Sequence, residues 1–207
     1  MKTIKIFATL LMMFAFTASL NAQVLTKDQE KAVKKEVKKL ESDGWKVKPG
    51  APSLAMQITR SSQAAWEQNS EGMDKWIYGE GSSIGTVYDA ARSQAMTVAQ
   101  GEIARRLNTD ITSQIEQVLA NEQFAQKEAE SIAQTIVASM GRTVDQSISR
   151  PRTLMECYRD LSNGNVEVLM RLAISSDKLD ALVKAGVDRA RSEYLKDKVE
   201  EVKAKLE

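Results

Sequence analysis

The sequence predicts an α+β fold: a small antiparallel sheet packed by a long alanine-rich helix and further helices, with charged helices near both ends. Three observations carry this prediction. Residues 166–174 alternate apolar and polar side chains, as a strand with one buried face does. Residues 87–107 place alanines at helical spacing. The segment between Thr26 and Gly44 and the segment 177–207 have helical patterns and are rich in charged residues.

The first residues have the layout of a secretory signal peptide. Lys2 and Lys5 precede an apolar run from Ile6 to Ala18, and small residues lead to a predicted cleavage after Ala22. A transmembrane anchor is the alternative, but the run has about 13 residues where a spanning helix needs ~20. No cysteine lies near the cleavage site, so a bacterial lipid anchor is not expected. The sequence therefore predicts an exported protein of the periplasm, the outer membrane or the extracellular space of a Gram-negative bacterium.

The composition excludes several kinds of site. The 207 residues contain no histidine, which is the usual general base and the commonest metal ligand. Cys157 is the single cysteine, so no intrachain disulfide forms; we expect it to be buried, and an interchain disulfide is the alternative. The formal net charge is +1, and removing the two signal lysines makes it −1, which gives no support for nucleic-acid binding. We predict no catalytic residue, no metal site and no cofactor.

The N-terminal region predicts two helices. Thr26 and Gln29 form a capping-box pair at the start of a lysine-rich helix that Gly44 ends. Trp45 opens a short extended segment, and Ser53 begins a second helix after a proline-containing loop.

The central stretch predicts a strand, a glycine turn and a long helix. Trp76 to Tyr78 favour a strand, Gly79, Gly81 and Gly85 indicate a tight turn, and Thr86 is the predicted N-cap. Two apolar stripes are predicted on opposite sides of the helix, one formed by Ala91, Ala95 and Val98 and the other by Met96, Ile103 and Leu107. The small residues of this helix allow a neighbouring backbone to approach closely.

The next segments are less uniform in pattern. Residues 109–119 fit helical spacing and strand alternation equally well. A helix is predicted from Asn121 to a stop at Gly141, and extended segments at 143–148 and 153–159. The segments 153–159 and 166–174 flank a turn sequence and should pair as a hairpin.

The last segment is helical, with a broad apolar stripe as far as Tyr194. Its charged tail either projects from the domain or pairs with the lysine-rich N-terminal helix.

The order of these elements around the alanine-rich helix resembles the LPP20 lipoprotein family and is similar to the related N-terminal domain of periplasmic flagellar-motor-associated proteins. The resemblance covers Trp76 to about Ser176 and is carried mainly by small residues at helical spacing, such as Ala90, Ala91 and Ala95, around Arg92. It implies an envelope protein without known catalysis and favours a strand at 109–119. Such relatives are often lipid-anchored through a cysteine, which this chain lacks. The resulting division is a signal peptide (1–22), an N-terminal helical region (23–72), an LPP20-like core (73–176) and a C-terminal helix (177–207).

Five residues are candidates for a ligand or interaction surface. Trp45, Trp66 and Trp76 could stack on a glycan, although tryptophans are usually largely buried. Gly79 and Gly81 lie in the predicted turn between strand and helix. Such a turn could bind phosphate, but Ile84 occupies the position where a dinucleotide-binding motif needs glycine, so a structural turn is favoured. A structural salt bridge is predicted between Glu102 and the arginines three and four residues on.

Two functions follow as hypotheses. The first is a non-catalytic envelope protein that binds another protein or assembles with itself. The second is a protein that binds a small ligand or a cell-wall glycan. The sequence identifies no partner and no oligomeric state.

Overall fold

The computed structural model describes residues 25–70, 72–121, 126–148 and 150–206, so the predicted signal peptide lies outside the described residues. Six helices and three strands follow in the order α1 (Lys27–Ser42), α2 (Leu54–Trp66), β1 (Trp76–Gly85), α3 (Tyr88–Asn121), α4 (Gln126–Ser139), α5 (Gly141–Ile148), β2 (Arg152–Asp160), β3 (Val166–Ser175) and α6 (Asp177–Leu206). The predicted α+β class is confirmed.

The sheet is antiparallel, and its strand order is β1, β3, β2. The predicted hairpin is confirmed, because β2 pairs with β3 from Asp160 opposite Val166. β1 pairs along the whole of β3, from Trp76 opposite Ser175 to Gly85 opposite Val166. The strand that follows the hairpin turn is therefore central, and β1 and β2 are the two edges.

Helices cover both faces of the sheet. α3 packs on one face against Val168, Met170 and Leu172 of β3, and this core continues along α3 to α4, α5 and α6. α1 and α2 cover the other face, where Val33 and Ile58 belong to one buried cluster with Met155 and Cys157 of β2. Among the described residues, α1 packs mainly on α2, and α6 packs mainly on α3 and α4. The charged tail at 196–207, for which pairing with α1 was one predicted alternative, has side chains largely outside the described part of the chain.

The three predicted turn glycines lie in a strand, so the prediction of a glycine turn is wrong. Gly79, Gly81 and Gly85 belong to β1 and face α3. A Cβ on Gly79 would lie 2.3 Å from the carbonyl oxygen of Ala99, and one on Gly81 would lie 2.3 Å from that of Ala95. Such distances allow no side chain, so the glycines let α3 lie directly over β1.

The helix begins one position later than predicted. The amide of Ala91 donates to the carbonyl of Val87, which places Val87 at the N-cap where Thr86 was predicted.

The buried side of α3 is one stripe and not two. It runs through every fourth residue from Ala91 to Leu119. Because an α-helix turns about 100° per residue, each step of four residues advances the stripe by about 40°. The stripe therefore faces the sheet near Ala91 and turns toward α4 and α6 near Leu119. Val98, which was placed in a stripe, is 51 % exposed.

Two segments are helical: 109–119, where strand and helix were both open and the resemblance favoured a strand, and 143–148, which was predicted to be extended. Residues 109–119 form the last part of α3; Ile111, Ile115 and Leu119 are buried there, while Ser113 and Gln117 lie outside. A strand would have put Ser113 and Gln117 on the buried face, which explains why the helix is preferred. Residues 143–148 belong to α5, where Val144 and Ile148, four apart, both reach the core.

Local predictions in the N-terminal region are confirmed. Thr26 and Gln29 form the capping box, and Ser53 caps α2 through the amide of Met56. Lys46 forms a bridge to Tyr158 of β2, so the short extended segment after Trp45 also exists.

Two ion-pair groups fasten helices to the sheet. Arg171 of β3 lies 2.6 Å from Glu36 of α1 and 2.5 Å from Glu80 of β1. On the other face, Glu156 of β2 accepts hydrogen bonds from Arg92 at 2.8 Å and from Tyr88, both of α3. The first group connects α1 to two strands, β3 and β1, and the second connects α3 to β2.

Candidate functional site

The outer edge of β1 is open. β1 pairs with β3 on one side, and no strand within the described ranges pairs with it on the other. In an antiparallel strand, alternate residues direct their amide and carbonyl groups away from the paired neighbour. β1 therefore presents a row of backbone donors and acceptors to whatever lies beside it.

The outer edge of β2 is protected against the addition of another strand, whereas the outer edge of β1 is not. Lys46 pairs with Tyr158 through two backbone hydrogen bonds of 2.8 Å. β2 also has an irregular register between Thr153 and Met155 and follows Pro151. Bulges, proline and lysine are the usual devices that prevent strand addition. The sequence of β1 contains no lysine or proline, and its register along β3 is unbroken.

α3 overhangs this edge. Because α3 lies directly over β1, its outer flank extends past the strand. Val98 lies on that flank with its Cβ 3.0 Å from where a Cβ of Gly81 would be, and Gln94 accepts a hydrogen bond of 2.7 Å from Ser83 of the strand. We call the open edge of β1, together with Val98 and Gln94 of α3 beside it, the β1 groove.

Apolar side chains are concentrated along the β1 groove. Large exposed apolar side chains number seven in the described part of the chain, and four of them lie on β1 or beside it: Tyr78, Ile84, Val87 and Val98. Isolated exposed apolar residues need no explanation, but a group beside an unpaired strand edge is typical of an interaction site.

A cleft of about 530 Å³ lies at the Trp76 end of β1. Its lining includes Trp76, Ile77 and Tyr78, which are the first residues of β1, and Asp110 of α3. The start of α6 closes it through Ser176, Leu179 and Asp180. The cleft is therefore continuous with the β1 groove.

The arginines of this cleft are already engaged. Arg105 donates to Glu102 at 2.7 Å, and Arg106 donates to the same carboxylate at 3.0 Å. This confirms the predicted salt bridge. The Arg106 guanidinium also lies 4.8 Å from the centre of the Tyr78 ring. The hydrogen bonds from Arg105 and Arg106 lower the pKa of the Glu102 carboxyl.

Two further polar groups of the cleft are poorly hydrated. Burial raises the pKa of the Asp110 carboxyl, and the charge of Arg106 opposes this shift. Ser176 is 7 % exposed, and its Oγ has no hydrogen-bond partner among the described atoms. A buried hydroxyl without a partner is costly and therefore rare in folded proteins.

Ser176 stands at the N-terminus of α6, yet its hydroxyl does not cap the helix. The amides of Leu179 and Asp180 donate to the backbone carbonyl of Ser176 at 2.8 and 3.3 Å. The neighbouring Ser175 hydroxyl accepts from the amide of Asp177 at 3.3 Å. The side chain of Ser176 is thus not used by the helix, and its Oγ is buried at the wall of the cleft.

The three tryptophans do not form one surface. Trp45 is buried under α1 and α2, where the Arg159 guanidinium lies 4.8 Å from the ring centre. Trp76 donates from its indole nitrogen to Glu67 at 2.7 Å, and Arg152 lies over its ring. Arg159 lies near the opposite end of the sheet from Arg152, so Trp45 and Trp76 are far apart. Trp66, at the end of α2, is 37 % exposed.

Of the five predicted site residues, Trp76 lines the cleft, and Gly79 and Gly81 form part of β1. Asp110, Ser176 and Asp180 were not predicted as site residues. The sequence around Ser176 is typical of a helix start. Only the tertiary structure shows that its hydroxyl is buried without a hydrogen-bond partner among the described atoms.

Three further features of the described chain bear on function: the single cysteine, possible metal ligands and possible membrane-spanning helices. Cys157 is buried as expected, and burial raises the pKa of its thiol to about 12. In the described ranges, no three His, Cys, Asp or Glu side chains converge in a way that could hold a metal ion. None of the described helices is both long enough and apolar enough to cross a membrane.

Comparison with protein-family models, with curated proteins and with solved structures found no match to this chain.

Proposed function

We propose that this protein is a non-catalytic, exported cell-envelope protein that acts as a protein-interaction module, and that it binds its partner by adding an extended segment to β1. The open, unprotected edge of β1 is the observation that carries this proposal. Strand addition supplies affinity through main-chain hydrogen bonds and specificity through alternate side chains.

The position of α3 restricts what can occupy the β1 groove. Two copies of the chain could not pair symmetrically through β1, because neighbouring strands lie about 4.8 Å apart. That spacing would bring the two α3 helices, each directly over its own β1, far closer than the 8–10 Å that packed helices need. The occupant is therefore an extended segment with no helix above it. Self-assembly, if this chain undergoes it, uses another surface.

The side chains beside the edge suit such a segment. A strand added to β1 directs every second side chain upward, beneath Val98 and Gln94, and the intervening ones downward beside Tyr78 and Ile84. Small or β-branched residues fit the upper positions because α3 lies close to the sheet.

A pair of arginine substitutions on α3 tests the proposal. Val98→Arg places a long charged side chain in the β1 groove, whereas Thr97→Arg places the same side chain on the adjacent exposed position of the helix. We expect proteins captured from envelope extracts by the wild-type chain to be captured by the Thr97 variant and lost by the Val98 variant. Equal capture by both variants would contradict the proposal, as would the absence of any captured protein.

A small-ligand or glycan site remains the second candidate, because the cleft contains aromatic side chains of Trp76 and Tyr78. The engagement of the Trp76 indole by Glu67 and Arg152 reduces the ring surface that a sugar could use. Thermal-shift measurements with cell-wall fragments test this candidate, since a ligand that binds the folded state raises its apparent stability. No shift at any fragment concentration would count against it.

A further inference from the structure

We infer that the segment bound at β1 carries a lysine or arginine side chain that enters the cleft at the Trp76 end. This inference rests on the proposed function and specifies the chemistry of the partner. The cleft and the strand edge share Trp76, Ile77 and Tyr78, so a segment paired with the beginning of β1 must pass the mouth of the cleft.

The charge of the cleft favours a cation. Its lining contains Asp74, Asp110 and Asp180 against two arginines, and both arginines donate to Glu102. With the Glu102 carboxylate that they share, four acidic side chains stand against two arginines at the cleft. An anionic side chain would meet three aspartates and two arginines that are already paired with Glu102, whereas a cationic one would meet carboxylate acceptors.

The unpartnered hydroxyl of Ser176 points to the same chemistry. Ser176 is a cleft-lining residue that is more than nine-tenths buried, and its Oγ makes no hydrogen bond to any described atom. An ammonium or guanidinium group has several donors and no acceptor. It can donate to the Ser176 oxygen and to a carboxylate together, which fills a hydrogen-bonding capacity that the free protein leaves unused.

The length of the side chain also fits. A cleft of about 530 Å³ is far larger than a single water site and accepts a four-carbon lysine stem or an arginine. The apolar part of that stem contacts Ile77 and Leu179, which line the same cleft.

Selection from displayed peptides tests the inference without a known partner. Random ten-residue peptides on phage are selected against the mature chain, residues 23–207, and in parallel against the Val98→Arg variant. Peptides enriched by the wild-type chain but not by the variant depend on the β1 groove. We expect these peptides to share a lysine or arginine at one fixed position.

Affinity measurements with one enriched peptide then locate its basic residue. By fluorescence anisotropy we expect Asp110→Asn to weaken binding about tenfold, the loss of one charge-assisted hydrogen bond. Replacing the basic residue of the peptide by glutamine should weaken binding to the wild-type chain similarly and abolish the effect of Asp110→Asn. Asp89→Asn is the matched control, because this exposed aspartate of α3 lies beside Lys48 and away from the cleft; its affinity should be unchanged.

The outcomes separate the two proposals. The inference would be overturned by groove-dependent peptides that lack a basic residue. It would also be overturned if a peptide with a basic residue bound the wild-type chain and the Asp110→Asn variant with equal affinity. Either result would leave strand addition in place. A selection that yields no groove-dependent peptide would overturn both.

Discussion

At the scale of single residues, the close contact between β1 and α3 depends on positions where no side chain fits. Gly81→Ala should strongly destabilise the protein, because its Cβ would lie 2.3 Å from the Ala95 carbonyl oxygen and 2.4 Å from the Ala99 amide nitrogen. Both are backbone atoms that cannot rotate away. We expect a loss of at least about 2 kcal/mol in the free energy of unfolding, measured by urea denaturation.

Gly101→Ala is the matched control for Gly81→Ala. Gly101 lies in the exposed part of α3 with no atom near its would-be Cβ. Alanine should raise stability there by about 0.5–1 kcal/mol, because it restricts the unfolded chain and favours the helix. Equal effects of the two substitutions would show that α3 does not lie directly over β1.

Ser176 and Ser53 stand at corresponding helix starts but should respond differently to alanine. Ser53 caps α2 by accepting from the amide of Met56 at 3.3 Å, so Ser53→Ala should cost about 1 kcal/mol. Ser176→Ala removes a buried hydroxyl that has no partner, so it should leave thermal stability unchanged or raise it. A substantial loss of stability in the Ser176 variant would mean that its hydroxyl has a structural role.

At the scale of elements, the pattern of α3 shows what the sequence could and could not predict. The hairpin was predictable because alternation in β3 and a turn sequence agree. The end of α3 was not, because Ile111, Ile115 and Leu119 satisfy both periods. The polar residues between them decide the matter, since only a helix leaves Ser113 and Gln117 outside. The family resemblance favoured a strand at 109–119, and that prediction was wrong.

Gln117→Pro tests the continuity of α3. Proline inside a helix removes a backbone hydrogen bond and clashes with the preceding turn, so the free energy of unfolding should fall by about 3 kcal/mol or more. Gln117→Ala, at the same exposed position, should leave stability nearly unchanged. Circular dichroism and thermal unfolding of the two variants give the comparison. A tolerated proline would indicate that the helix ends earlier.

The contact between α3 and β2 should depend on pH. Burial tends to raise the pKa of the Glu156 carboxyl, but hydrogen bonds from Arg92 and Tyr88 outweigh it and hold the pKa below the usual 4.5. A carboxyl with a lowered pKa stabilises the fold above its unfolded pKa, and this contribution is lost as pH falls through the folded pKa. Urea denaturation of the wild-type chain should therefore show stability falling below about pH 4.5, and Glu156→Gln should reduce that dependence. An identical slope in both proteins would contradict this role of Glu156.

At the scale of the whole molecule, two unlike edges distinguish the sheet. The alanine-rich helix was recognisable as the centre of the domain, and its small residues predicted close approach by a backbone. The sequence could not show that the approaching backbone is β1 itself, because glycines between an apparent strand and a helix read as a turn. Once Gly79, Gly81 and Gly85 are part of a straight strand, β1 becomes long enough to form a complete edge.

The cleft depends on contacts that no local pattern encodes. It brings together the start of β1, the middle of α3 and the start of α6, which are distant in sequence. Trp76 was selected for its ring, whereas the proposed strand addition uses its backbone position at the edge and not its indole. Asp110 and Ser176 have ordinary local sequences, and their significance comes only from burial.

Amide hydrogen exchange along β1 tests the central claim most directly. We predict that alternate amides between Trp76 and Gly85 exchange rapidly in the free chain, because they face no described partner, and that they become protected when a groove-dependent peptide binds. Protection of every β1 amide in the free chain would show that the edge is already covered. Unchanged rapid exchange in the complex would show that the peptide binds elsewhere, and either result would contradict strand addition at β1.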